Sequence, residues 1–320
     1  MKEIELTRRQ MLALSGALGL AGLTGTFAAG AEAARTKTSS YEDLILAGGP
    51  VGYWRLDEKA GPTAVDASPK KHPGTYHGRP VFRAPGALKD PSDRAILLDG
   101  KASYVEIPSR ASFSQPTSHQ GLSVEAWLRT PHNLAFRGED PNDPDRNYIY
   151  WLGKGEGVGA TGQQEWALRF YSKNSSRPNW VSAYIFNPDG HLGAGAHFEG
   201  PVRPLEWIHV VACYQPGDAG SPEKRGVLLY TNGIFRQGPP ASGTLYNHPK
   251  HWEIYPKSGH APVRLGTRDK TTYLTGGLDE VAIYPRVLTA REIHLHYQVG
   301  TGAKLDAGER QELDHLLKKE

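Results

Sequence analysis

From about residue 51 onward, apolar and polar positions alternate in short runs separated by turn residues. The runs at 51–58, 95–99, 103–108, 122–129, 148–153, 164–171, 180–186, 206–212, 226–233, 263–266 and 276–284 each carry the two-residue period of a strand. In the first, Trp54, Leu56 and Glu58 share one side while Tyr53, Arg55 and Asp57 share the other. Runs 95–99 and 103–108 flank Gly100 and read as a hairpin. Asn232-Gly233 is a hairpin turn of the primed type, and Asn187-Pro188-Asp189-Gly190 is another turn. Short strands at 8–12-residue spacing with no long helical pattern predict an antiparallel two-sheet sandwich.

The last long stretch organises the rest. Gly276 and Gly277 open a strand, Pro285 closes it, and alternation places Asp279 on the face of Val281 and Ile283. Thr289-Ala290-Arg291-Glu292 then spells a capping box, predicting a helix with Leu288, Ile293 and Tyr297 on one side. Asp306-Ala307-Gly308-Glu309 predicts a second, C-terminal helix carrying Leu313, Leu316 and Leu317, packed on the sandwich surface, with a frayed tail or a partner-binding helix as the alternatives. The segment 41–47 reads as a helical or extended lead-in.

Composition sharpens this picture. The 37 glycines and 24 prolines match many turns, and a formal charge of +3 over 320 residues gives no footprint for nucleic acid. The single cysteine, Cys213, excludes an internal disulfide, and its apolar run makes it a buried small hydrophobe. At the N-terminus Arg8-Arg9 precedes an uncharged Gly- and Ala-rich stretch ending in Ala31-Glu32-Ala33. That pattern is similar to a twin-arginine export signal with a small-residue cleavage site. It implies a secreted or periplasmic protein, with retention through an uncleaved signal as the alternative. The expected organisation is a signal peptide over 1–34, a lead-in over 35–50, one domain over 51–300 and a helical tail over 301–320.

Several runs resemble, in order, the motifs of the laminin-G-like, concanavalin A-like jelly rolls of bacterial secreted proteins. Tyr53-Trp54-Arg55-Leu56-Asp57-Glu58, with Asp66 and Ser68 after it, resembles the opening motif; Ser68-Pro69-Lys70-Lys71 departs from the usual S-G-N-G. Leu98-Asp99-Gly100 with Tyr104-Val105-Glu106-Ile107-Pro108, then Leu122-Ser123-Val124-Glu125-Ala126-Trp127, follow. Trp207-Ile208-His209, Leu229-Tyr230-Thr231-Asn232-Gly233 and Gly277-Leu278-Asp279-Glu280-Val281 complete the set. The resemblance implies an all-β fold: a two-sheet antiparallel jelly roll of about a dozen strands, to which the chain's pattern adds a short C-terminal helical tail. Trp127 and His209 are then expected in the core.

Three kinds of chemistry follow. In this class of jelly roll a structural calcium ion often ties the first strand to the last, and Asp57, Glu58, Asp66 and Asp279 supply the hard oxygens such an ion takes. A carboxylate beside Val281 and Ile283 needs a partner, and backbone amides or Arg55 are the alternatives to a metal. For a glycan, the aromatics outside the strand motifs are Trp151, Trp180, Trp252 and Tyr255, with Asn142, Asp143, Asp145, Arg146 and Asn147 as polar groups in the 130–147 loop. For catalysis, the paired-glutamate spacings and lyase signatures of this fold class are absent, and no zinc, phosphate-loop or nucleophile-elbow motif occurs. The sequence therefore predicts a monomeric, non-catalytic binder of a glycan or cell-surface polymer. The alternatives are a divergent glycoside hydrolase or polysaccharide lyase with Glu139 or Glu165 as acid, and a protein-binding adhesion module.

Overall fold

In this computed structural model the residues described are 41–114, 121–131, 148–156, 164–171, 179–186, 193–217, 220–221, 224–238, 244–246 and 258–318. All lie within one compact unit, Ser39–Glu320. The strands, in chain order, are β1 (Gly52–Trp54), β2 (Thr63–Ala64), β3 (Gly74–His77), β4 (Val81–Pro85), β5 (Arg94–Asp99) and β6 (Tyr104–Ile107). They continue as β7 (Leu122–Arg129), β8 (Tyr148–Lys154), β9 (Trp166–Tyr171), β10 (Trp180–Phe186), β11 (Gly193–Pro201) and β12 (Trp207–Gln215). The last five are β13 (Gly226–Thr231), β14 (Ile234–Gln237), β15 (Thr244–Tyr246), β16 (Val263–Leu265) and β17 (Thr275–Tyr284). Helix α1 spans Tyr41–Ala47, α2 Ala290–Thr301 and α3 Ala307–Leu317.

Among the described residues the strands form two antiparallel sheets. The first runs β14-β13-β12-β7-β17-β5-β4, with β1 also paired to β17; the second runs β15-β11-β10-β9-β8-β16-β6-β3-β2. Trp54, Leu56, Phe113, Leu128, Trp151, Phe170, Val210, Leu265, Val281 and Ile283 fill the space between the sheets. Each such side chain removed from water contributes about 1.5–3 kcal/mol before the entropy cost of folding. The other face of the first sheet is also covered. Tyr53, Trp127 and Tyr284 pack there against Tyr41 and Ile45 of α1 and Ile293 of α2. The predicted capping boxes form at Thr289 and Asp306. Helix α3 packs Leu316 against Leu44 and Leu295, so it rests on the other two helices. Asn232 and Gly233 both take positive φ, as a primed turn requires.

Two expectations change. The 95–99 and 103–108 runs are not a hairpin: β5 pairs with β17 in the first sheet, and β6 pairs with β3 and β16 in the second. The turn between them crosses the sandwich, with Gly100 at φ 69 and Asp99 Oδ1 accepting the amides of Lys101, Ala102 and Ser103. Trp127 is in the core as expected, in the cluster beneath the helices. Asp279 does not share the core face of Val281 and Ile283. It pairs with Trp127, and Ala282 pairs with Glu125, so Glu280 and Val281 oppose a single residue of β7. This bulge, with Glu280 at φ 50, reverses the alternation and turns Asp279 away from the core.

Candidate functional site

The bulge on β17 creates the first site. Three buried carboxylates, Asp93, Asp279 and Glu280, offer oxygens within 4.8 Å of one another. Gly86 makes room for them, because a Cβ there would sit 2.0 Å from Asp93 Oδ2. Asp279 Oδ2 accepts the Ala87 amide at 2.8 Å, and Asp93 Oδ2 accepts the Leu88 amide at 2.8 Å. Glu280 accepts from the Tyr53 hydroxyl and, at 3.2 Å, from Arg55 Nε. Asp93 Oδ1 and Asp279 Oδ1 accept no hydrogen bond, and Arg55 Nη2 stands 4.0 Å from Asp93 Oδ1. Two orphaned carboxylate oxygens in a buried trio need either a shared proton or a hard cation, and oxygen-only ligands are what such a cation takes. Burial and the neighbouring Glu280 and Asp93 charges raise Asp279 well above the usual carboxylate range, and burial lifts Glu280 to about 8. Asp93 is also raised by burial. Without a cation, burial therefore favours the protonated forms of Asp279 and Glu280.

Of the four predicted metal ligands, the structure brings only Asp279 into this cluster. Asp57 pairs with Arg55 at 3.4 Å. Glu58 accepts the Val65 amide at 2.6 Å and the Tyr76 hydroxyl at 2.5 Å. Asp66 is saturated: it accepts the amides of Tyr53, Ser68 and His72 and the Ser68 hydroxyl, and so ties its loop to β1. Arg55, the alternative partner for Asp279, bonds Glu280 instead. Asp93 and Glu280 were not singled out in the sequence. Asp93 lies in the loop between β4 and β5, outside any alternating run, and Glu280 enters the cluster only through the bulge.

The second site is the outer face of the second sheet. On β9 the core takes Trp166, Leu168 and Phe170, so Arg169 and Tyr171 point outward; on β10 the core takes Val181, Ala183 and Ile185, so Trp180, Tyr184 and Phe186 point outward. Tyr148 and Tyr150 of β8 join them. The Arg169 guanidinium carbon lies 3.8 Å from the Tyr148 ring centre and 4.0 Å from that of Tyr184. Tyr171 and Tyr150 flank it at 5.5 and 5.9 Å. The hydroxyls of Tyr171 and Tyr184 are 2.7 Å apart. The strip continues one way to Trp180 stacked on His197 at 5.4 Å, and the other to Arg268, 3.7 Å from the Tyr150 ring. On β11, a Cβ at Gly195 would come within 2.7 Å of the Tyr184 ring and one at Gly193 within 2.9 Å of Phe186, so the glycines let those rings lie flat.

The predicted ligand residues divide accordingly. Trp180 lies at one end of this strip, half-buried. Trp151 does not face outward: it is 0% exposed between the sheets, in the Phe170 cluster, because alternation from the core residue Ile149 and the outward Tyr150 turns it inward. Trp252, Tyr255, Asn142, Asp143, Asp145, Arg146, Asn147 and Glu139 lie outside the described residues. Glu165, the other acid named for hydrolysis, is buried against Lys154 Nζ and accepts the Gly259 amide at 2.7 Å, so its partner is a lysine and not a second carboxylate. Arg169 and the tyrosines were missed, although strand parity alone puts Arg169 with Tyr171 and Trp180 with Tyr184.

Comparison with known proteins agrees with the fold. The profile of the concanavalin A-like lectin/glucanases superfamily, a laminin-G-type family, matches residues 99–294, and the chain belongs to this superfamily. No curated protein matches the chain. Among solved structures, it is similar to the botulinum neurotoxin serotype D ligand-binding domain in complex with N-acetylneuraminic acid, with TM-score 0.53 and 11% identity over 80% of this chain and 52% of that one. It is also similar to domain 4 of AbnA, an extracellular arabinanase from Geobacillus stearothermophilus in complex with arabinotriose, with TM-score 0.50 and 16% identity over 78% of this chain and 98% of that one. The chain spans about half the length of the botulinum domains it matches. At these identities the likeness is one of fold. No described helix is long and apolar enough to cross a membrane.

Proposed function

We propose that this chain is an exported, monomeric, non-catalytic carbohydrate-binding module, and that the saccharide lies along the aromatic strip of the second sheet. The carrying observation is the aromatic strip on one sheet face, in which the half-buried Trp180 and Tyr148 offer ring surface beside the buried Tyr184, Tyr150 and Arg169. Aromatic faces stack on the C–H faces of sugar rings, while the phenol, imidazole and guanidinium edges meet hydroxyls. Two solved neighbours of the same fold are complexed with saccharides, which supports the reading by analogy. The twin-arginine pattern at Arg8-Arg9 supports export.

Calcium is the hard cation proposed for the first site. Asp93, Asp279 and Glu280 would hold it, and the two donorless oxygens are the reason it fits. Its role would be to join the closing strand to the loop between β4 and β5, away from the saccharide strip. A glycan array probed with the purified protein and with Trp180→Ala tests the main reading. Binding to a defined saccharide class, weakened at least tenfold in the variant with an unchanged melting temperature, is expected. Absence of any saccharide binding would sink it.

A further inference from the structure

Four cationic side chains are buried among the described residues: Lys154, Arg169, Arg264 and Arg268. Three of them have carboxylate partners. Lys154 pairs with Glu165, Arg264 with Glu106 and Glu156, and Arg268 with Asp269. Arg169 differs. It is 3% exposed and is surrounded by the rings of Tyr148, Tyr150, Tyr171 and Tyr184, with no carboxylate partner among the described residues. Its Nε–H has no acceptor, and its Nη1 has only a 3.5 Å contact with the Tyr150 hydroxyl. Tyrosine faces above and below offset part of the cost of burying this charge, but they leave the edge of the guanidinium unused. Arg268, on the far side of the Tyr150 ring, adds a second positive group to the same strip.

A guanidinium covered on both faces and free along its edge is open to one kind of partner. A carboxylate in the plane of the fork can accept two parallel N–H bonds, whereas a neutral hydroxyl cannot neutralise the charge. We propose that this strip selects saccharides that carry a carboxylate, with Arg169 receiving the carboxylate along its Nε edge and Trp180 stacking on a sugar ring. The inference rests on the carbohydrate-binding reading and adds the ligand's charge to it. Tyr148 and Trp180, the half-buried rings of the strip, both lie at the Tyr171 end, and the ligand would approach Arg169 from there. Because Arg169 is buried, the ion pair forms in a dry site, where matched charge discriminates strongly against an uncharged competitor.

Calorimetric titration with tri-galacturonate, its methyl ester, 3′-sialyllactose and lactose provides the test. The methyl ester and lactose are the uncharged counterparts of the other two, and the two pairs separate an internal uronate from a terminal sialic acid. At least one acidic member is expected to bind ten times more tightly than its counterpart. Arg169→Met should abolish that difference and melt no lower than the wild type, because an unpaired buried charge has been removed. Arg169→Lys keeps the charge and loses the fork, so a severalfold loss of preference is expected even if the methionine variant does not fold. Equal binding of acidic and uncharged partners, or a preference that survives Arg169→Met, overturns the inference. Binding to the uncharged members alone also overturns it while leaving the carbohydrate-binding reading in place. No binding to any of the four overturns this ligand assignment, and a blank glycan array besides would remove the reading beneath it.

Discussion

Replacing Glu125 should cost the fold more than any other single charge change, and the cost should depend on pH. Glu125 is fully buried on β7 and faces the helices. Its carboxylate accepts from His209 Nε2 of β12 at 2.7 Å, Tyr41 of α1 at 3.1 Å, Tyr284 of β17 at 3.0 Å and His296 Nδ1 of α2 at 3.0 Å. Trp127 Nε1 extends the network by donating to the Tyr41 hydroxyl at 3.0 Å. Burial alone would raise the Glu125 pKa, but the imidazoles of His296 and His209 outweigh it and hold the group well below the usual carboxylate range. Each charged hydrogen bond contributes about 1.5–3 kcal/mol, and removing one partner of a buried charged network costs about 3–5 kcal/mol in all. For a domain of this size that corresponds to a melting temperature roughly 10 °C lower in Glu125→Gln. A depressed folded-state pKa gives stability that is fully present above the unfolded value, about 4.3, and is lost as pH falls through the folded one. The difference in melting temperature between wild type and Glu125→Gln should therefore be full at pH 6–7 and narrow below about pH 4. Circular-dichroism melts from pH 3 to 7 measure it. A constant difference across that range, or none at all, would refute the reasoning.

The acidic trio predicts the opposite slope. Glu280, raised to about 8, contributes stability that is present below its unfolded pKa and lost as pH rises through the folded one, so in chelator the melting temperature should fall between pH 5 and 9. Calcium should remove that fall and raise the midpoint, and Asp279→Ala should abolish the response; a midpoint indifferent to calcium in the wild type counts against the cation. Asp66→Ala removes two acceptor oxygens and the four hydrogen bonds they receive in the loop after β1, and should destabilise the protein by about 3 kcal/mol, with faster hydrogen exchange at the Tyr53, Ser68 and His72 amides. Cys213, buried and pushed up to about 12, should react with a thiol reagent only in denaturant, and labelling of the native protein at pH 8 would contradict its placement.

How much was legible in the sequence follows from what alternation can encode. Strands with an unbroken period, such as β7, β9, β10 and β12, were readable because each side chain's face follows from parity. His209 was expected as a packed, hydrogen-bonded histidine, and it is buried against Glu125. Cys213 is buried as its apolar run implied. Parity fails where one strand carries an extra residue. The bulge at Glu280 moved Asp279 off the face predicted for it, and the register shift in β8 turned Leu152 inward next to Trp151. Whether two neighbouring strands share a sheet depends on the course of the turn between them, and Gly100 with Asp99 sends β5 and β6 to different sheets. Asp93 could not be foreseen as part of the acidic trio, because only tertiary contact brings a loop carboxylate to a strand nearly two hundred residues later.

The helical cover on the first sheet has a consequence for how the molecule can be held. Helix α1, at the start of the described chain, and α3, at its end, meet through Leu44 and Leu316 on the same side of the sandwich. The aromatic strip lies on the opposite side. A tether joined directly before α1 or directly after α3 therefore leaves the domain on the side away from the Arg169 strip. Immobilising the protein by an N-terminal or a C-terminal tag should yield the same capacity for soluble ligand, while coupling through a side chain on the second sheet should not.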